Sequence, residues 1–260
     1  MHSCSPGKAP IVKGDKFSKS QCPQNDNERT QMQTIPYSSV VGSLMYAQVC
    51  TRPDIAYVVG VLGRYLSDPG LAHWKAAKKV LRYLQGTKDL VLTYQRSDIL
   101  DIVGYSDADF AGCLAGRKST SGYVFMMAGG AVSWKSVKQT LTASSTMEAE
   151  YVACYEATCQ AIWLRNFILG LGVMNTISRP LKIFCDNSAV VAFSRNTRSS
   201  SHSKHIDIKF LFVREKIAES CICVEHVSTE HMLTDPLTKG LAPKLFQGHV
   251  THLGLLGSLL

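Results

Sequence analysis

The sequence lacks the features that mark several common classes of protein. It has no run of about 18 apolar residues, so no membrane-spanning helix is expected. The N-terminus carries lysines but no apolar segment of the kind that a secretory signal requires. The nine cysteines are odd in number and include no Cys-x-x-Cys pair, which argues against a disulfide framework or a zinc site. Reduced thiols are therefore expected, and with them an intracellular protein of the cytoplasm or nucleus.

Acidic residues are scarce in the first part of the chain. Residues 1–97 hold 13 Lys and Arg against 6 Asp and Glu, whereas residues 98–260 hold 15 against 14, and the net charge of the 260 residues is +8. This asymmetry fits a polyanionic substrate that is held by a basic segment and cut by an acidic one. Lysines that only solubilise helices would give the same count.

Four segments follow from the residue pattern. Residues 1–35 are polar and aperiodic, which predicts a disordered or loop-rich tail. Residues 36–97 predict a helical segment with one lysine-rich face. Residues 98–245 alternate strand and helix patterns, and residues 246–260 are expected to form a C-terminal tail.

The third segment predicts an α/β fold. Its elements run as three strands, a helix, a strand, two helices, a strand and a helix. Three consecutive strands separated by glycine-containing turns indicate an antiparallel meander. The later alternation of strands and helices predicts a mixed sheet with helices on its faces.

Acidic residues recur where these elements begin or end. Carboxylates at successive element ends can converge on one divalent metal site, and a two-metal phosphodiesterase needs several such oxygen ligands. Each acid also has a simpler interpretation as a surface residue, as a helix N-cap for the third motif, or as a turn residue for the last. The four motifs contain Asp107 and Asp109, Glu148 and Glu150, Asp186, and Asp235.

The residues around these acids resemble a known family. Six ordered motifs are similar to the ribonuclease H domain of copia-type retrotransposon polyproteins: YSDADFAG at 105–112, KSTSGYVF at 118–125, SSTMEAEYVA at 144–153, CDNSA at 185–189, KHIDI at 204–208 and DPLTK at 235–239. Two earlier motifs resemble the segment that connects reverse transcriptase to that domain: VGSLMY at 41–46 and TRPDI at 51–55. The resemblance covers residues 36–245.

The resemblance implies a ribonuclease H-like fold with a five-stranded mixed sheet. It also implies cleavage of the RNA strand of RNA–DNA hybrids with two Mg²⁺ ions, for which Mn²⁺ is a substitute. Carried over motif by motif, it assigns catalysis and metal binding to Asp107, Glu150, Asp186 and Asp235.

Two of these assignments stay open from the residues alone. Asp109 would share a face with Asp107 in an extended strand, although Asp107 lies closer to the strand core. Glu148 and Glu150 are about 200° apart on a helix, so only one of them can face the site.

Contacts to nucleic acid are expected near two helix starts, where backbone N–H groups favour phosphate. The candidates are Arg198, Lys204 and His205 in and after a basic loop, and Ser145 before the long helix. The resemblance also implies an accessory histidine for product release, and His226 and His231 are the candidates. His231, four residues before Asp235, is preferred, with a surface or capping role as the alternative, whereas His226 on a predicted strand is expected to be packed.

No Tyr-x-Asp-Asp motif is present, so polymerase activity is not expected. The chain is expected to be a truncated polyprotein product that acts as a metal-dependent endonuclease. Its expected partners are an RNA–DNA hybrid and reverse transcriptase or other polyprotein parts, and no membrane. The alternative is a non-catalytic remnant that binds nucleic acid.

Overall fold

The computed structural model describes residues 4–97, 101–113, 116–172, 180–196 and 204–257, with backbone only for residues 204–206. Its helices are α1 Asp26–Gln33, α2 Tyr37–Cys50, α3 Ala56–Gly63, α4 Leu71–Gly86, α5 Thr146–Leu171, α6 Ser188–Arg195, α7 Lys204–Ala218, α8 Asp235–Thr238 and α9 Pro243–His252. Its strands are β1 Leu90–Leu92, β2 Val103–Asp109, β3 Thr120–Met127, β4 Gly130–Lys138, β5 Leu181–Cys185, β6 Ile222–His226 and β7 Leu255–Gly257.

Five of the strands form one mixed sheet in the order β4-β3-β2-β5-β6. The first three strands pair antiparallel, as the meander pattern predicted. Strands β2, β5 and β6 then pair parallel, with helices in the connections. The predicted α/β class and five-stranded mixed sheet are therefore confirmed.

Helix α5 covers one face of this sheet. Its N-cap is Ser145, whose hydroxyl accepts a hydrogen bond from the Glu148 N–H, and its C-cap is Gly172, where a φ of 64° suits glycine. Its buried side chains pack on alternate residues of the strands, among them Tyr123 and Phe125 of β3. This packing fixes the beginning of α5 over the sheet.

The opposite face of the sheet receives the helical segment. Val124 of β3 packs with Ala56 of α3 and Leu237 of α8 in a small buried cluster. The Trp134 indole N–H donates a hydrogen bond of 3.1 Å to the Gln48 carbonyl of α2, so this tryptophan joins the two layers. None of the described helices is both long and apolar enough to cross a membrane.

In the described residues both predicted tails pack against the helices, although residues 4–25 are loop-rich apart from the single 3-10 turn Lys19–Gln21. In the N-terminal segment, α1 forms, and Ala9, Ile11 and Met32 are buried among the helices. At the C-terminus, α9 packs into the same cluster and β7 pairs antiparallel with β1. A few apolar side chains anchor each segment to partners that are distant in sequence, and a pattern read over neighbouring residues does not show such partners.

A buried ion pair lies in the turn between α2 and α3. The Arg52 guanidinium donates two hydrogen bonds to the Asp54 carboxylate, at 2.9 and 2.7 Å. The Tyr83 hydroxyl donates to the same carboxylate at 2.5 Å, and Arg52 also donates to the Thr87 hydroxyl at 2.8 Å. The TRPDI motif is thus tied to the C-terminal half of α4.

Candidate active site

The sheet topology brings four acidic residues to one edge. Asp107 lies near the end of β2, Asp186 directly follows β5, Glu150 lies in the first turns of α5 and Asp235 begins α8. Because β2 and β5 are adjacent parallel strands, their carboxyl ends meet at the same edge. The structure therefore brings together all four residues that the resemblance assigned.

Asp107 is held by two residues of the last motif. Its side chain is 2% exposed, and its carboxylate accepts a hydrogen bond from the buried Thr238 hydroxyl. The Lys239 ammonium lies 3.6 Å from Asp107 Oδ2 and 2.9 Å from Asp235 Oδ1. Lys239 is thus a counter-cation that offsets part of the repulsion among the carboxylates. The negative charges of these carboxylates in turn raise the pKa of Lys239.

Glu150 supplies a carboxylate oxygen with no hydrogen-bond partner. The residue is 5% exposed, and its Oε2 atom has no partner among the described residues, while the Ala108 backbone donates a hydrogen bond to the carboxylate. Burial, and then the negative charges of Asp107 and Asp186, raise the pKa of Glu150 to about 10. A buried, unpaired carboxylate oxygen is what a hard divalent cation would bind, so the residues present fit such an ion.

Asp186 is half-buried and is positioned from β6 and the turn that follows it. The Thr229 hydroxyl donates a hydrogen bond of 3.2 Å to Asp186 Oδ2, and His226 Nε2 donates to the Asp186 carbonyl at 3.1 Å. Burial, followed by the charge of Asp107, raises the pKa of Asp186. Asn187, not Asp186, caps α6, since its side chain accepts from the Ala189 and Val190 N–H groups.

Asp235 lies in the first turn of α8, where Pro236 follows it. Its side chain is buried and ion-paired to Lys239, and burial raises its pKa to about 6. It is therefore part of the carboxylate cluster as well as the residue that begins α8.

The two alternative acids make other contacts than the four assigned residues do. The Glu148 carboxylate accepts hydrogen bonds from the backbone and the hydroxyl of Ser144, so it closes the start of α5. Asp109 turns onto the loop that follows β2, where its Oδ2 atom lies 1.7 Å from the point at which a Cβ of Gly112 would stand. Burial raises the pKa of Asp109, while the charges of Lys239 and Asp107 also act on it. Asp107, two residues earlier in the strand, is the one whose carboxylate contacts Thr238 and Lys239.

The predicted nucleic-acid contacts are placed only in part. Ser145 is exposed at the start of α5, where its hydroxyl serves as the N-cap. Arg198 lies outside the described residues, and Lys204 and His205 begin α7 with side chains that are not described. His231 is exposed, and its Nδ1 atom is 2.8 Å from the Ser228 hydroxyl, a contact between two side chains at the surface.

Several residues of the site were missed by the sequence analysis. Thr238 and Lys239 stand within the DPLTK motif, so the motif itself was the available signal. Thr229 carries no such signal, because its contact with Asp186 arises only from the packing of β6 and the following turn beside β5. His226 was a candidate for the accessory role, but its contact with the Asp186 carbonyl could not be predicted.

The glycine opposite Asp107 gives a first prediction. A Cβ on Gly122 would lie 2.7 Å from Thr238 Cγ2 and 3.1 Å from Leu237 Cβ. Gly122→Ala should therefore displace α8, weaken the Thr238–Asp107 contact and lower the free energy of unfolding by about 1–3 kcal/mol. Chemical denaturation checks this, with Gly42→Ala as the control, because the space around Gly42 in α2 is open. Equal stability of Gly122→Ala and the wild type would contradict the packing described.

The raised carboxyl pKa values give a second prediction. Glu150 and Asp235 have folded-state pKa values of about 10 and about 6, above the ordinary values of 4.5 and 3.8. Both groups bind protons more tightly in the folded state, so the metal-free protein should lose stability as the pH rises from about 4 towards 10, with the share of Asp235 complete by about pH 6. Thermal unfolding in EDTA should show this fall, and Mg²⁺ should oppose it. A Glu150→Gln profile as steep as that of the wild type would contradict the assignment to Glu150.

The mixed sheet and its acidic edge define a ribonuclease H-like domain of the α/β class. No model of a known protein family matches the sequence. The solved structure of LC11-RNase H1 in complex with an RNA/DNA hybrid is 16% identical, with a TM-score of 0.40, over 55% of this chain and 98% of that one.

Sequence relatives identify the family more closely. The chain is 41% identical over 247 residues to the retrovirus-related Pol polyprotein from transposon TNT 1-94 of Nicotiana tabacum, which is 95% of this chain and 18% of the polyprotein. It is also 53% identical over 133 residues to secreted RxLR effector protein 161 of Plasmopara viticola, which is 51% of this chain and 94% of that protein. The chain belongs to the copia-type retrotransposon Pol polyproteins and spans less than a fifth of the TNT 1-94 relative.

Proposed function

We propose that this chain is a Mg²⁺-dependent endonuclease that hydrolyses the RNA strand of RNA–DNA hybrids. One observation carries the proposal: four elements place Asp107, Glu150, Asp186 and Asp235 at one sheet edge, and one buried oxygen of Glu150 has no partner. Membership of the copia-type Pol polyproteins supports the same activity.

These four side chains would hold the metal. Two bound divalent ions would supply an activated water and charge stabilisation for the leaving oxygen. The protein's own contribution is to orient the ligands: Thr238 fixes Asp107, and Thr229 together with the His226 contact fixes Asp186. Lys239 lowers the repulsion among the carboxylates while the site holds no ion.

The substrate assignment rests on charge and on the family. A strongly basic segment, residues 1–97, precedes the acidic site and suits a polyanion. We assign the additional contacts to Arg198, Lys204, His205 and Ser145, with His231 in an accessory role. Other segments of the polyprotein, including reverse transcriptase, are the proposed protein partners. Within the described residues no disulfide joins two cysteines, which suits a reducing compartment such as the cytoplasm or nucleus.

A panel of labelled duplexes tests the proposal. The protein should cut only the RNA strand of an RNA–DNA hybrid, in Mg²⁺ or Mn²⁺, and should leave double-stranded DNA and double-stranded RNA intact. EDTA should abolish the cleavage. Salt-sensitive binding of the hybrid without any cleavage would instead identify a non-catalytic nucleic-acid-binding remnant.

A further inference from the structure

A thiol lies among the carboxylates of the site. Cys185 is the last residue of β5, is fully buried and forms no disulfide. Its Sγ atom, a carboxylate oxygen of Glu150 and a carboxylate oxygen of Asp186 all lie within 4.8 Å of one another. The position before the strand-end aspartate thus adds a sulfur donor to an otherwise oxygen-lined site.

The donor set decides which cations suit these three atoms. Mg²⁺ binds oxygen and gains nothing from a thiol, whereas Zn²⁺ and Cd²⁺ bind thiolate and carboxylate together. In a tetrahedral zinc site the ligand atoms are roughly 3.5 Å apart, given metal–ligand distances of about 2.0–2.3 Å. A spread of at most 4.8 Å can close to that geometry through small side-chain rotations.

Glu150 provides an independent sign of a ligand. The side chain is more than nine-tenths buried and its Oε2 atom has no hydrogen-bond partner among the described residues. Asp186 beside it is only half-buried. The site therefore has a sulfur donor, an unpaired buried oxygen and one half-buried carboxylate.

We propose that Cys185, Glu150 and Asp186 form a binding site for a thiophilic divalent cation of the Zn²⁺ or Cd²⁺ class. On binding, the S–H bond of Cys185 breaks, the metal–sulfur bond forms and the proton passes to solvent. The site shares Glu150 and Asp186 with the Mg²⁺ ligands, so an ion held there excludes Mg²⁺ and inhibits the nuclease. The inhibition rests on the proposed function, but the binding does not.

Titration with Cd²⁺ tests the binding directly, because a cadmium–thiolate bond adds ultraviolet absorbance that carboxylates alone do not give. Wild-type protein should show a tight component that Cys185→Ser and Cys185→Ala both lose. The matched control is Cys223→Ser, which removes a half-buried thiol beside Glu225 on β6 and should keep that component. Equal absorbance in the wild type and the Cys185 variants overturns the proposal.

A variant that leaves every thiol in place tests the same site even if the Cys185 variants misfold. Glu150→Gln should weaken the tight Cd²⁺ component at least about tenfold, since it removes one of the three ligands. An unchanged Cd²⁺ affinity in Glu150→Gln contradicts the shared site, whatever the Cys185 variants do.

The inhibitory consequence is measured in the hybrid-cleavage assay at fixed Mg²⁺. For each protein, the rate with Zn²⁺ is divided by its own rate without Zn²⁺. The half-inhibitory Zn²⁺ concentration should rise at least about tenfold in Cys185→Ser and stay unchanged in Cys223→Ser. If no protein cleaves the hybrid, the proposed function is wrong, while the Cd²⁺ result remains valid. If the protein cleaves the hybrid but gives no cadmium–thiolate signal, only the proposal of a thiophilic site is wrong.

Discussion

Glu150→Gln is expected to reduce hybrid cleavage by about a thousandfold or more without lowering the stability of the metal-free protein. The loss follows because an amide cannot supply the negative oxygen that a divalent cation needs in a site held by few ligands. Stability should be kept because burial and the neighbouring acids raise the pKa of Glu150 to about 10, so at neutral pH the metal-free residue is a neutral acid that glutamine resembles.

Glu148→Gln is the matched control for this result. It stands two residues away on the same helix, and its carboxylate closes the helix start rather than the metal site. We expect near-normal cleavage and a stability loss of about 0.5–1 kcal/mol from the weakened cap. The measurements are single-turnover cleavage rates and thermal unfolding in EDTA. If Glu148→Gln abolishes cleavage and Glu150→Gln does not, the two assignments must be exchanged.

Asp54→Ala is expected to lower the free energy of unfolding by about 3–5 kcal/mol, more than any other single change in the helical segment. The side chains of Arg52 and Asp54 are 9% and 0% exposed, so removal of the carboxylate leaves a guanidinium buried without its ion-pair partner. It also removes the acceptor of the Tyr83 hydroxyl. Urea denaturation measures the change in the free energy of unfolding.

Two comparisons sharpen this second test. Asp68→Ala removes an exposed carboxylate from the loop after α3 and should change stability by less than about 0.5 kcal/mol. The double variant Arg52→Met with Asp54→Leu should recover part of the loss, because no charge is then left buried. A loss below about 1 kcal/mol for Asp54→Ala would show that the pair does not hold α4 to the TRPDI motif.

The element order of the sheet domain could be predicted because its signals are local. Ser145 and Gly172 bound α5, and glycine-containing turns separate β2, β3 and β4. The terminal segments could not be predicted in this way. Strand β7 has three residues and exists because it pairs with β1, about 165 residues away in sequence, a separation that periodicity does not register.

In the candidate site, too, the residues within local motifs could be predicted, whereas the contacts between distant elements could not. Asp107, Glu150, Asp186 and Asp235 follow from motifs, and the structure places all four at one edge. Their supporting contacts depend on how elements pack: Lys239 between two carboxylates, Thr229 on Asp186, and the Cys185 thiol beside Glu150. The separation of Glu150 from Glu148 likewise required the hydrogen bonds of Ser144.

The most direct test of the central claim compares wild-type protein with Asp186→Asn on a labelled RNA–DNA hybrid in Mg²⁺. Asp186 is half-buried and does not cap α6, so the variant should fold while losing a metal ligand. Wild-type protein should cut the RNA strand, and Asp186→Asn should be slower by about a thousandfold, with unchanged circular dichroism. Equal, background-level cleavage by both proteins would contradict the enzyme assignment, and equal, rapid cleavage by both would contradict the role given to Asp186.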